Sequence, residues 1–515
     1  MTTLQLRNSI NRSHWRRDFV LVPLLLACVA LSPSASAEAT ATKWTQIGTG
    51  ARPGPNLPGK PNICGRIVQA AWRYDNVQGR NILWMGTALG GLWKSIYSNG
   101  SISKWIPLTD NFPGPHGMGS FIVNRTDSNK ILIGPGGFSG GLVNGDGKVY
   151  RTNDQGGIWH GHPLPLSKGE KAPIHVNRIV EDRSDPTGNT VLACTSHGIY
   201  RSEDFGSVTS WARVYPVPAT LFNLAEVTDI VQDTGNPKIW YAGELTGSTP
   251  LGNAPILRST DGGINWSPYA LPGSSQITGS VGRISLAACE ANPNVLYALV
   301  AKEKGSTTNG DLNGVYRSLN RGKDWTGIFT DNKRINPLSQ ALHTCAIACD
   351  PTNPGHLVVG MENPPLEASN ATNLVTALID WREFDGGHGD FNFFLFRRGM
   401  SNIVIANDGG YYIYTRTPFV EILDGSGNLL GIEANWLDAT QGALASSRSE
   451  PSILLGGVVD NGVVQADASA NTQTRIADGD GGQVCISPSR ASVMTGKAVR
   501  VVRLRGFLVR HYPWA

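Results

Sequence analysis

The chain has 515 residues, 61 of them Gly and 31 Pro, and only 16% of its side chains are charged. Its formal charge of +4 resides in the ends, since residues 1–37 carry +3 and residues 491–515 carry +5, which leaves the body between them at −4. That balance excludes the basic folded face a nucleic-acid partner needs, and the Gly- and Pro-rich composition points to short strands joined by tight turns in an exported all-β protein.

Arg7, Arg12, Arg16 and Arg17 precede an apolar run at 19–31, and Ala35-Ser36-Ala37 closes it. This is the pattern of a secretory signal over residues 1–37, too short to span a membrane. It predicts a secreted or periplasmic protein without a transmembrane segment. Leu25-Leu26-Ala27-Cys28 resembles a lipoprotein box and makes a lipid anchor at Cys28 the alternative. Residues 38–64 read as a linker with one strand at 43–50 (KWTQIGTG) that could close a ring.

From residue 65 one order of elements repeats: an apolar strand, a turn, a second apolar strand, a third strand, and a hairpin tip. The first copy is GRIVQAAW, NILWMGTA and GGLWKS, and the fifth is GRISLAACEANP, VLYALVAKE and GVYRSLNRGKDW. The hairpin tips share the spacing Ser/Thr-x-Asp-x-Gly-x-x-Trp at Thr152, Asp154, Gly156 and Trp159 and at Ser259, Asp261, Gly263 and Trp266. Asn320 replaces the Asp between Ser318 and Trp325, and two extra residues separate Asp204 from Trp211. An Asp at the mouth of a turn accepts backbone N–H groups, Gly supplies positive φ, and Trp covers the strand end. Trp105, Trp159, Trp211, Trp266 and Trp325 are 52 to 59 residues apart, the period of a four-stranded propeller blade. The expectation is an all-β propeller of seven or more blades in one body over residues 65–490. Looser copies continue through an eighth, ALASSRSEPSILLGGVVDNGVVQAD, and GDGGQVCISPS begins another. Residues 491–515 read as an atypical basic tail, with an edge strand as the alternative.

The repeated tips resemble the Asp-box (BNR) repeats of sialidases, sortilins and xyloglucanase-type glycoside hydrolases. Over roughly residues 65–490 the segments GRIVQ, HGDFNFF, NDGGYYIY and GGVVDNGVVQ are most similar to the sortilin-like and glycosyl-hydrolase-like propellers of that superfamily. The resemblance implies that Asp154, Asp204, Asp261 and Asn320, with Trp159, Trp211, Trp266 and Trp325, are structural, and that a ligand sits at the central channel. It also implies a function: acting on or binding extracellular glycans, or, as the alternative, non-catalytic peptide or protein binding of the sortilin type. Xyloglucanase-type enzymes carry Thr-Asp-x-Gly-Gly with a catalytic Asp where this chain has Thr87-Ala88-Leu89-Gly90-Gly91, and an alanine cannot act as a base. Sialidase chemistry would need an Arg cluster; Arg66 and Arg283 stand at blade starts, but their recurrence favours a repeated structural role.

Four acidic turns fall outside the hairpin spacing: His388-Gly389-Asp390, Asn407-Asp408-Gly409, Asp460-Asn461-Gly462 and Asp478-Gly479-Asp480. Asp390, Asp408, Asp460 and Asp480 are therefore the candidate catalytic or ligand-binding carboxylates, although such sequences also suit ordinary tight turns. No cofactor is expected, while the oxygen-rich turns could hold a calcium ion. The cysteines Cys64, Cys194, Cys289, Cys345, Cys349 and Cys485 have neither zinc nor redox spacing and read as buried thiols, with disulfides permitted by export.

Overall fold

In each repeat the second strand is apolar on both sides of its pleat, which suits a strand covered by sheets on both faces. In the computed structural model these strands are wholly buried, as at Val191–Thr195, Trp240–Glu244, Leu296–Ala301 and Ile403–Asn407. The structure describes residues 66–421 apart from loop segments at 76–78, 89, 99–100, 103–104, 116, 138–144, 168, 171–173, 217–225, 246–254, 270–276, 278–280, 304–309, 385, 397–401 and 415–419; beyond these it describes 444–446, 452–458, 462–467, 472–477, 481–486 and 494–498. The expected signal, linker strand, Cys28, Asp460 and Asp480 lie outside the described residues.

The fold is an all-β, seven-bladed propeller. Seven antiparallel sheets follow one another, each with its strands hydrogen-bonded in sequence order, save that in the first Ile106–Pro107 pairs with Leu92–Ser98 beside Ser101–Ile102. Their inner strands are Ile67–Asp75, Met118–Val123, Val176–Glu181, Val227–Gln232, Ile284–Ala288, Ala346–Cys349 and Phe391–Phe396, for blades 1 to 7. Blade 7 packs on blade 1 through Ile67, Leu83, Met85, Val404, Ala406 and Tyr411, and Trp105 Nε1 of blade 1 donates to Tyr411 Oη at 3.2 Å. The ring thus closes at the seventh blade, and every blade is filled by its own consecutive strands.

The later repeats form further sheets. Strands Leu444–Ser446, Ile453–Val458, Gly462–Asp467 and Thr472–Ala477 make a four-stranded sheet, and Gly481–Ile486 pairs with Met494–Ala498. A strand therefore lies inside the segment read as a basic tail.

Around the axis, the second residue of an inner strand reaches a carbonyl at the start of the next blade's inner strand. Asn177 Nδ2 donates to the Val227 carbonyl at 3.0 Å, Thr228 Oγ1 to that of Ile284 at 2.8 Å, and Ser285 Oγ to that of Cys345 at 2.7 Å. Gly119 holds the same place in blade 2, where a β-carbon would collide with the Val176 carbonyl. These bonds pair buried carbonyls that no sheet ladder serves.

Chain order fixes the two faces. Inner strands start, and second-to-third-strand turns lie, on one face, the mouth; the other face holds the first-to-second and third-to-fourth turns. Cys289 and Cys349, at the ends of neighbouring inner strands on the face away from the mouth, form a disulfide across 60 residues. Cys194 and Cys345 are buried thiols, as the apolar runs around cysteine suggested.

The hairpin tips show why their spacing recurs. Ser259 Oγ accepts the Gly263 N–H at 3.0 Å and donates to Asp261 Oδ1 at 2.8 Å, while that oxygen accepts the N–H of Ile264 at 3.2 Å and of Asn265 at 3.0 Å. Thr152, Asp154, Gly156 and Ile158 repeat the scheme, and Asn320 accepts the Asp324 N–H at 2.9 Å. Asp204 departs from it, bonding Ser207 Oγ at 2.5 Å, because two residues are inserted there. Trp159, Trp211 and Trp325 are buried behind their tips, and Trp266 is half-buried.

Candidate ligand site at the mouth of the channel

Asp390 and Asp408 both fall on the mouth face, in blade 7. Asp390 immediately precedes the inner strand, with φ +61°, and its N–H donates to the Glu362 carbonyl at 2.6 Å. Asp408 occupies the turn between Ile403–Asn407 and Gly410–Tyr414. Asn392 ties the two together, since its Nδ2 reaches the Asp390 carbonyl at 3.2 Å and Asp408 Oδ1 at 2.8 Å. Asn407 fixes the preceding loop by donating to the Gly386 and His388 carbonyls at 2.9 and 3.0 Å. The tips bearing Asp154, Asp204, Asp261 and Asn320 lie on the opposite face.

The environments of the two blade 7 carboxylates differ. Asp408 is 2% exposed and ion-paired with Arg66 across the seam between blades 7 and 1. Asp390 is half-buried. Arg66 therefore serves the ring seam, and Arg283 Nη1 bonds the Leu342 and His343 carbonyls at 3.3 and 2.7 Å.

Ala88 donates its N–H to the Arg66 carbonyl at 3.0 Å and packs in an apolar cluster with Val68, Trp84, Leu92, Met118 and Phe121. A carboxylate there would face hydrocarbon from blades 1 and 2, which burial penalises.

Several groups that sequence reasoning missed lie on the same mouth face. His175 Nε2 lies 3.1 Å from Glu226 Oε1, and each residue immediately precedes an inner strand. Glu170 receives two 2.7 Å bonds from Arg213. Glu244 accepts the Tyr215 hydroxyl at 3.0 and 3.1 Å, and burial pushes its carboxyl up to about 7. Glu362 accepts the N–H groups of Leu338 and Gln340 at 2.5 and 2.7 Å, and burial raises it as well. The available signal was position: polar residues interrupt apolar strand starts in HVNR and EVTD.

Below the mouth, inner strands from all seven blades line an axial cavity of about 70 Å³. Its charged walls are Arg178, Asp229 and Arg283, beside Asn177, Asn392 and Phe393. Burial pushes the Asp229 carboxyl up and the Arg283 guanidinium down. Among the described residues no group of three or more His, Cys, Asp and Glu could hold a metal ion, and no helix is long and apolar enough to cross a membrane.

The chain matches no family profile. It is 25% identical over 378 residues to xyloglucanase Xgh74A of Acetivibrio thermocellus, covering 67% of this chain and 40% of that protein. It is 25% identical over 311 residues to a xyloglucanase of a Paenibacillus species, covering 56% of this chain and 28% of the relative. The chain is a seven-bladed β-propeller homologous to GH74 xyloglucanase-like enzymes. It spans about two-fifths or less of the length of these relatives. Among solved structures, a GH74 enzyme of Niastella koreensis aligns with TM-score 0.52 and 15% identity over 88% of this chain and 71% of that one. The GH74 xyloglucanase of Xanthomonas campestris gives 0.53 and 13% over 88% and 72%. At that identity the two structures speak for the fold alone.

Proposed function

We propose that this propeller is an exported protein that binds extracellular glycans across its mouth face, with any hydrolysis carried by the acidic turns at Asp390, Asp408, Asp460 and Asp480. The observation that carries the balance toward binding is Ala88: the position where xyloglucanase-type enzymes resemble this chain yet carry a carboxylate is packed in interblade hydrocarbon. Homology to glycan-acting enzymes supports a sugar ligand. We read the repeated Ser/Thr-x-Asp tips as Asp-box repeats that stabilise blades from the far side, as in the sialidase superfamily. The sortilin-like alternative, peptide or protein binding without chemistry, finds support in the charged axial cavity.

Reducing-sugar release from xyloglucan, β-glucans and sialyl-lactose, run beside calorimetric binding to the same glycans, separates these readings. Binding without release is the expected result. Release that disappears in Asp390→Asn would assign hydrolysis to the late turns, and neither binding nor release would overturn the glycan reading.

A further inference from the structure

Beneath the mouth lies a charge arrangement that a neutral sugar would leave unused. Arg178, from the inner strand of blade 3, is 28% exposed and approaches Asp229 only to 3.7 Å, beyond hydrogen-bond length. Its guanidinium lies over the Phe393 ring, 5.0 Å from the centroid, and its Nε makes no hydrogen bond among the described residues. Asp229, by contrast, already accepts the N–H groups of Ile230 at 2.9 Å and Leu286 at 2.8 Å. With Arg283, whose Nη1 is committed to the Leu342 and His343 carbonyls, the lining holds two arginines and one aspartate.

A buried donor without a partner is costly, and an incoming anion would relieve that cost. Carboxylates suit this role because a guanidinium fork can meet both oxygens, and the pairing strengthens where water is scarce. Size narrows the ligand further. A cavity of about 70 Å³ holds roughly the share of two waters, room for a carboxylate and too little for a pyranose ring. We infer that the axial cavity takes the carboxylate of an acidic sugar, a uronate within a glycan lying across the mouth, with Arg178 as its donor. The inference rests on the glycan reading of the mouth, which favours a uronate over a peptide C-terminus as the bearer of the charge.

The full chain is titrated with trigalacturonate, with its methyl ester, with a neutral xyloglucan heptasaccharide, and with a short peptide as free acid and as amide. The acid should bind about tenfold or more tightly than the ester, and the preference should shrink as salt rises. Arg178→Gln should abolish the preference. Asp229→Asn removes the internal counter-charge and should tighten acid binding several-fold, an outcome that a merely destabilised variant would not produce. Equal affinity for acid and ester, or acid affinity unchanged in Asp229→Asn, overturns the inference. A preference for the peptide acid over its amide, without one among the sugars, overturns the uronate assignment. Heptasaccharide binding without an acid preference would leave the glycan reading standing and remove this one; an acid preference among the sugars without heptasaccharide binding would support both and narrow the glycan to acidic sugars.

Discussion

On the face away from the mouth, hairpins in blades 2, 4 and 5 repeat one hydrogen-bond scheme in which a hydroxyl and a carboxyl or amide oxygen collect turn N–H groups. The first-to-second turns there use a similar device: Asn124, Asp182, Asp233 and Asp350 each accept an N–H two residues on, at 2.8 to 2.9 Å. On the mouth face the acidic groups have unlike partners: Arg66 for Asp408, His175 for Glu226, Arg213 for Glu170, Tyr215 for Glu244, and backbone for Glu362. Repetition is what a sheet-stacking fold requires of every blade. Departure from repetition is where individual chemistry can be placed.

The largest effect should come from breaking a mouth contact. Arg66→Gln strands the Asp408 carboxylate, 2% exposed, without its cation; removing one partner of a buried ion pair costs roughly 3–5 kcal/mol. Urea unfolding of the variant should show the midpoint falling accordingly, and a change within error would mean that the seam does not depend on the pair.

A comparable test on the other face is the disulfide. Cys289→Ser with Cys349→Ser frees a 60-residue loop, for which chain entropy gives about 4 kcal/mol of stability. The double variant should unfold at lower urea than the parent, and a reducing agent should move the parent to the same midpoint.

Smaller and pH-dependent is the Glu244 term. Burial raises its folded carboxyl to about 7, above the ordinary value near 4.3. The folded state therefore holds the proton longer than the unfolded chain does. The contribution is fully present below about pH 4, fades as pH rises through 7, and amounts to roughly 3 kcal/mol over that window. Glu181, also pushed up to about 7 by burial, adds a similar slope on the opposite face. Glu244→Gln keeps an oxygen for the Tyr215 hydroxyl and should flatten the decline between pH 4 and pH 8 by about that amount, with little change at pH 4. A variant whose melting temperature tracked the parent across the whole range would show that Glu244 titrates normally.

The blade order was legible because the strands are local: apolar runs, turns and the Trp spacing sit within one repeat. Closure at the seventh blade was not, since the eighth repeat has the same strand grammar as the seventh and only the packing of Tyr411 and Val404 on Leu83 and Met85 decides it. The axial bonds were hidden for a related reason. Asn177, Thr228 and Ser285 donate the same bond with three different side chains, Gly119 holds the place with none, and each carbonyl reached lies in the next blade. Arg66 and Asp408 are 342 residues apart, so neither flank announces the other. Cys289 and Cys349 read as apolar strand residues until the two strand ends are seen side by side.

The smallest effect separates the two faces most cleanly. Asp261 lies at an exposed tip, where its Oδ1 accepts the Ile264 and Asn265 N–H groups and its Oδ2 accepts Asn265 Nδ2 at 2.7 Å. These bonds to the ionised form hold its carboxyl below the usual range, against the opposing effect of burial. Asp261→Ala removes them, and water can replace part of what is lost, so the cost should be about 1 kcal/mol. The Ser259 hydroxyl still holds the Gly263 N–H at 3.0 Å, which keeps the turn closed. Glycan affinity should be unchanged, because the tip lies on the face away from the mouth. Asp390→Asn, at the mouth, should show the opposite pattern: weaker binding with the melting temperature nearly unmoved. If Asp261→Ala weakened binding while Asp390→Asn only destabilised, the division between a structural face and a ligand face would be wrong.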